Sequence, residues 1–207
     1  MKRPSTLYAL LTLPCVASVA SATGSGPSPS FHVELQKQAG NVEFFAVGWP
    51  SALKIHGKGA GPEGQLDVAA LGVSGAITFD LDSLETGIGL RDRHLKEQYL
   101  QTARFSRATL KLSRVGLKPL PDATAFKNVS IPFEGVLSLH GANRPVAGEA
   151  RITRDGPRVS VAAAFTIDIR EFGIDVPSYL GITVAEKVQV KVSFSSQVES
   201  GRDMAGR

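Results

Sequence analysis

Apolar and polar residues alternate one by one along most of this chain, and a period of two belongs to strands that bury one face. The longest instance covers residues 129–139, with Val129, Ile131, Phe133, Leu137 and Leu139 on one side and Ser130, Glu134 and Ser138 opposite. Pro132 and Gly135 inside it predict a sheet edge or a bulge. The same alternation marks Phe31, Val33 and Leu35, then Leu53 and Ile55, then residues 66–68 and 73–81, where Ile77 and Phe79 point one way. It returns at 108–112, at 146–153, at 158–168 with Val161 and Phe165 inward, and at 188–194 with Val190 and Phe194 inward. Residues 42–47 form a further apolar run closed by Gly48-Trp49-Pro50. The glycine-rich residues 57–64 read as a turn, and Asp155-Gly156 reads as a tight hairpin.

These segments make at least eight strands without helices between them, which excludes a parallel α/β sheet. Antiparallel strands with one apolar face either close into a barrel or pack as two sheets. Large side chains mixed with Gly and Ala on the inner faces suit both arrangements.

One stretch breaks the period. Residues 89–100 read Gly-Leu-Arg-Asp-Arg-His-Leu-Lys-Glu-Gln-Tyr-Leu. The Asp92 carboxylate is placed to cap a helix starting at Arg93, and Leu95 and Tyr99 fall four residues apart on its underside. A helix near residues 92–100 is too short to stand alone in water. It is expected to plug or rim whatever the strands build.

The ends of the chain predict its destination. Lys2 and Arg3 precede an apolar run over residues 7–19, and Ala20-Ser21-Ala22 fits a small-x-small cleavage site. Residues 1–22 therefore read as a cleaved signal peptide, which implies a periplasmic or secreted protein. Residues 23–30 form a Gly/Ser/Pro-rich flexible segment, 31–198 one domain, and 199–207 a polar, disordered tail. No stretch of the mature chain is long and apolar enough for a transmembrane helix. Cys15 is the only cysteine, so a mature chain has neither disulfides nor thiol chemistry. Without Lys2 and Arg3, the 23 basic and 19 acidic residues come to a net charge of about +2, with the basic residues scattered. Nucleic acid is not an expected partner. His32, His56, His94 and His140 lie in different segments without metal-ligand spacing, and no Gly-x-Ser-x-Gly nucleophile elbow occurs. The sequence predicts no metal site, no cofactor and no catalytic residues.

Several motifs in order resemble the YceI-like family. Leu84-x-Thr86-Gly87 leads to Arg91-Asp92-x-His94-Leu95 and Tyr99-Leu100. Gly135-x-Leu137-Ser138-Leu139-His140-Gly141-x-x-Arg144-Pro145-Val146 follows, then Phe172-Gly173-Ile174 and Val184-x-Glu186-x-Val188-x-Val190. Together they cover about residues 31–197. The chain departs from the family pattern near Val47-Gly48-Trp49-Pro50, where a Phe-x-x-x-His stretch is usual, and at Phe105-Ser106, where Tyr-Pro is usual.

The resemblance implies an all-β, lipocalin-like antiparallel barrel of about eight strands, holding a polyisoprenoid or another long-chain lipid, and a binding protein rather than an enzyme. It also turns the inward apolar set into a candidate pore lining: Ile77, Phe79, Phe133, Leu137, Leu139, Val161, Phe165, Val190 and Phe194. Arg91, Asp92 and His94 are the candidate head-group residues, since an arginine fork suits a phosphate. Two rivals remain: a barrel enzyme acting on a lipid, and a filled barrel or sandwich that binds other proteins. A homodimer is compatible with either architecture.

Overall fold

Strands that bury one face still leave their edges unpaired, and this chain removes the edges by closure. The computed structural model describes residues 31–49, 53–69, 72–115, 125–179 and 182–200. The expected signal peptide, the flexible segment and residues 201–207 of the expected tail lie outside them. The strands are β1 (Phe31–Leu35), β2 (Gly40–Trp49), β3 (Lys54–Ala60), β4 (Glu63–Ala69), β5 (Gly72–Asp80), β6 (Arg107–Val115), β7 (Ala125–Leu139), β8 (Ala142–Asp155), β9 (Arg158–Asp168), β10 (Ser178–Tyr179), β11 (Ile182–Val184) and β12 (Lys187–Ser200), with one α-helix, α1 (Gly89–His94).

The ring runs β1-β4-β5-β6-β7-β8-β9-β12 and returns to β1, an eight-stranded antiparallel barrel. Two of its staves are bent. A helical turn at Lys37–Ala39 separates β1 from β2, yet both lean on β12: Phe31 to Val33 pair with Val198 to Ser200, and Gly40 to Phe45 with Gln189 to Phe194. β12 thus continues through Glu199 and Ser200, two residues into the expected tail, because β1 offers them a partner. The matching break between β3 and β4 is only Gly61-Pro62. The turn expected over residues 57–64 is therefore corrected: Gly57 to Ala60 belong to β3, in register with β2.

Beyond the bend, β3 leaves β5. Its outer edge meets the chain after β5 through one backbone bridge, with Lys58 and Glu85 exchanging N–H···O bonds of 2.8 and 2.7 Å. The small hairpin β10–β11 adds to β2 at Gly48 and Trp49.

β7 is not an edge, since β6 and β8 flank it. The irregularity expected at Pro132 and Gly135 falls on the neighbour: the β6 register slips between Leu112 and Arg114, opposite Gly135 and Glu134, and ends at Phe133. Pro132 lies just past that ladder. The β7–β8 turn is the two residues His140 and Gly141, with φ of 50° and 79°. Two positive φ values are what the right-handed twist of a two-residue hairpin demands.

Candidate functional site

The two halves of the barrel are filled differently. Toward β1 and β4, Val33, Leu66, Ile131, Phe133 and Phe194 are buried in one apolar cluster. Toward β2, β3 and α1 the inward side chains stand apart around an apolar cavity of about 520 Å³. Of the candidate pore residues, Phe79, Leu137, Leu139, Phe165 and Val190 line this cavity. Ile77, Phe133 and Phe194 are buried in the filled half, and Val161 packs against the same cluster. These four are not among the residues that line the cavity. Alternation shows that a residue points inward, not how far along the axis it lies.

The bent staves, with β11 beside them, supply further wall, of which alternation marked Ile55. Phe44 and Ala46 of β2, Ile55 of β3, and Val184 of β11 all face the cavity. Phe44 has room because the residue across from it is Gly57. A β-carbon there would overlap the Phe44 ring.

The last wall is the segment after β5. α1 begins at Gly89, and no side chain caps it. It continues as a π-helical turn, Leu95–Tyr99, closed by the Leu100 N–H donating 2.8 Å to the Leu95 carbonyl. The helix expected from Arg93 thus starts four residues earlier, and Asp92 is not its cap. Leu95 and Tyr99 do form its underside, on the cavity wall.

Asp92 instead reaches back to Thr86. Its Oδ1 accepts the Thr86 N–H at 2.7 Å and also the Thr86 hydroxyl. Arg91 completes the knot, donating from Nε to Thr86 Oγ1 at 2.7 Å and from Nη2 to the Thr86 carbonyl at 2.9 Å. Burial pushes the Asp92 pKa up, but the two Thr86 donors and the Arg91 charge outweigh it and hold the carboxyl below its ordinary value. The Leu84-x-Thr86-Gly87 and Arg91-Asp92 motifs are therefore one structure, and the missed residue is Thr86. Its spacing from Asp92 carried no local signal for a contact.

Arg91 and His94 line the cavity, while Asp92 is not among its lining residues. Asp80 also reaches the wall, where Lys37 Nζ holds its Oδ2 at 3.1 Å and the Asp82 N–H its Oδ1 at 3.1 Å. Ile88 and Leu90 line the cavity and are still 53% and 60% exposed, so they mark its mouth. Trp49 stands 76% exposed near the end of β2. A wall almost wholly apolar, with an arginine and a histidine among its few polar groups, suits an amphiphile.

The remaining histidines are dispersed: His32 contacts Asp67 at 2.8 Å, and His56 stacks on Phe45 at 4.5 Å between ring centres. His140 Nδ1 lies 3.1 Å from the Phe172 carbonyl, tying the β7–β8 turn to the Phe172-Gly173-Ile174 segment. Phe172, 1% exposed, anchors that segment in the core. No helix among the described residues is long and apolar enough to cross a membrane.

Among solved structures, the chain shares its fold with BcnA of Burkholderia cenocepacia, at 14% identity and a TM-score of 0.63, over 78% of this chain and 99% of that one. A polyisoprenoid-binding domain from Saccharophagus degradans, implicated in plant cell wall breakdown, matches at 14% identity and a TM-score of 0.61, over 83% and 99%. The YceI protein of Campylobacter jejuni matches at 12% identity and a TM-score of 0.56, over 70% and 85%. No curated protein sequence matches the chain. The model of the YceI-like domain matches residues 33–196, nearly the whole barrel, and the chain belongs to that family.

Proposed function

We propose that this protein binds a long-chain lipid, isoprenoid or fatty, with its tail in the barrel cavity and its head group near Arg91 and His94. The observation that carries the reading is the apolar cavity that opens between Ile88 and Leu90. Each methylene buried there contributes about 0.8 kcal/mol of transfer free energy. The tail alone is then enough for binding, and the polar residues need add only selectivity. The polyisoprenoid-binding description of the Saccharophagus degradans domain supports the same ligand class.

The role is that of a carrier or store rather than an enzyme, and the site is periplasmic or secreted. The basic, apolar and small-residue pattern of residues 1–22 supports export. Intact-mass measurement after expression with the leader in a Gram-negative host should give a chain starting at Thr23. An uncleaved cytoplasmic product would remove the export half of the proposal. Native mass spectrometry followed by organic extraction tests the binding half. The expected result is one co-purified lipid per chain, and a bare protein that also refuses added prenyl and fatty ligands would overturn it.

A further inference from the structure

The barrel gathers its exposed apolar side chains at one end. Five large hydrophobic residues are exposed among those described, and four of them, Val47, Trp49, Ile88 and Leu90, stand at the open end of the cavity; the fifth is Val136 of β7. β2 runs up the cavity wall through Val42, Phe44 and Ala46 and ends at Trp49, beyond the last of them. β3 lies beside it, with Lys54 across from Val47. The chain after β5 joins β3 at the Lys58–Glu85 bridge, three residues before Ile88. Trp49, Lys54 and Ile88 therefore sit on three neighbouring strips of one rim. Gly87, Ile88, Gly89 and Leu90 are all exposed, and a β-carbon on either glycine would meet nothing within 4 Å beyond its chain neighbours, so this tip stands clear of the wall. Charge is uneven around the mouth. Lys54 and residues 85–107 together hold six basic side chains against three acidic ones, and Lys54, Arg93, Arg104 and Arg107 are exposed. One of the three acids, Asp92, is already engaged by Thr86. The connection from β9 to β12, residues 168–187, has the reverse balance, four acidic against two basic.

We propose that this rim docks the barrel on an anionic lipid bilayer, with Trp49, Ile88 and Leu90 entering the boundary between head groups and acyl chains and Lys54 and Arg93 meeting the lipid charges. Aliphatic side chains gain by leaving water at that boundary, and an indole suits it because its ring is apolar while its N–H stays at the polar level. Exposed apolar surface gathered in one place and bordered by charge marks an interaction site. Continuity with the cavity favours a bilayer over a protein partner. Ile88 and Leu90 belong to the rim and to the cavity wall at once, so a bilayer seated on them seals the mouth, and a tail passes between membrane and barrel without crossing water. The charge agrees, since each Lys or Arg brought near an anionic surface adds to the attraction. It also sets the orientation, with the α1 side of the mouth toward the membrane. The inference rests on the lipid reading above and adds the place where the cargo is exchanged.

Trp49 is the only tryptophan of the chain, so its fluorescence reports on the rim directly. The exported chain, its leader removed, is titrated with phosphatidylcholine vesicles and with vesicles that also contain phosphatidylglycerol, following Trp49 emission and co-sedimentation. Emission should move to the blue on the phosphatidylglycerol vesicles and be quenched by lipid brominated in its acyl chains. Lys54→Glu with Arg93→Glu should weaken partitioning at least about tenfold. Trp49→Ala, read by co-sedimentation, should weaken it at least about threefold. Trp49, Lys54 and Arg93 do not line the cavity, so the affinity for palmitate and geranylgeraniol without vesicles should stay within about twofold in both variants. Neither blue shift nor sedimentation overturns the docking, and leaves the lipid reading standing where the same protein binds palmitate or geranylgeraniol in solution. A rim that enters vesicles on a chain that takes up neither ligand overturns the lipid reading alone. Equal partitioning of the charge-reversed variant overturns the part given to Lys54 and Arg93. A blue shift on raising the protein concentration without vesicles overturns the bilayer and assigns the rim to a second copy of the chain.

Discussion

Thr86 makes three kinds of contact at once: its hydroxyl donates to Asp92, its hydroxyl oxygen accepts from Arg91, and its backbone uses both its N–H and its carbonyl in the same knot. Valine keeps the shape and removes the hydroxyl, leaving Arg91 Nε and Asp92 each short of a partner in a half-buried place. Thr86→Val should therefore cost about 1–3 kcal/mol in urea unfolding. Thr86→Ser, which retains the hydroxyl, should recover most of that loss. Asp92 also shows where local reading stops. An aspartate two residues into a polar segment is a good cap by propensity, but the groups that claimed it lie six residues back, across a turn that local spacing does not encode. Arg91 and His94, in contrast, reach the cavity from the segment that broke the strand pattern.

β3 shows how an element is misread and what its glycines do. Three glycines between residues 57 and 61 look like a turn by composition. Gly57 and Gly59 lie within the strand, as places of close approach. Gly57 gives way to the Phe44 ring, and at Gly59 a β-carbon would lie 2.9 Å from Leu84 Cδ2. Gly57→Ala should destabilise the fold by about 1–3 kcal/mol, as overpacking does, and should weaken ligand binding by pushing Phe44 into the cavity. Equal affinity and stability in the variant, measured by titration and thermal unfolding, would mean that Phe44 has another place to go. β8, β9 and the part of β7 from Val129 on were legible from their alternation and from turns that carry Gly141 and Gly156, both at positive φ, while the start of β7 was not, because its register with β8 slips between Phe126 and Val129. The bends at Lys37–Ala39 and Gly61-Pro62 were not, because the first shows only in the pairing of both β1 and β2 with β12, and the second in the change of partner from β2 at β3 to β1 at β4.

For the whole molecule, three carboxyls tie the chain together below their ordinary pKa. Asp80 is raised by burial and more than offset by Lys37 and the Asp82 N–H; Asp92 is held by Thr86 despite burial; Asp168 is lowered first by its hydrogen bonds from the Arg170 side chain. A carboxyl depressed in the folded state contributes stability above its unfolded pKa, about 3.9, and loses it as the pH falls through the folded value. Stability from these groups should thus be flat near neutrality and fall below about pH 4. Asp80→Asn with Asp92→Asn should be less stable at neutral pH and show a shallower acid limb in thermal unfolding. That the strands enclose one apolar interior follows from alternation, and the choice of a barrel over two packed sheets from the resemblance to the family. How much of that interior stays open follows from neither, since that depends on which inward residues meet at each level.

The seam beside β3 has a kinetic consequence. Elsewhere each stave is zipped to both neighbours along a ladder, whereas β3 meets the chain after β5 through the Lys58–Glu85 backbone pair and an Ala60 N–H donated to Ser83 Oγ at 2.9 Å. Two backbone-to-backbone amide bonds, beside the one that Ala60 gives to a side chain, then guard a stretch that many guard in β7, β8 and β9. In deuterium-exchange measurements those two amides should exchange by local opening and at least about tenfold faster than the amides of β8, whose protection should track global unfolding. Equal protection would mean that the wall moves as one piece. Unequal protection would make this barrel a vessel with a hinged side, rigid along most of its circumference and yielding along one line.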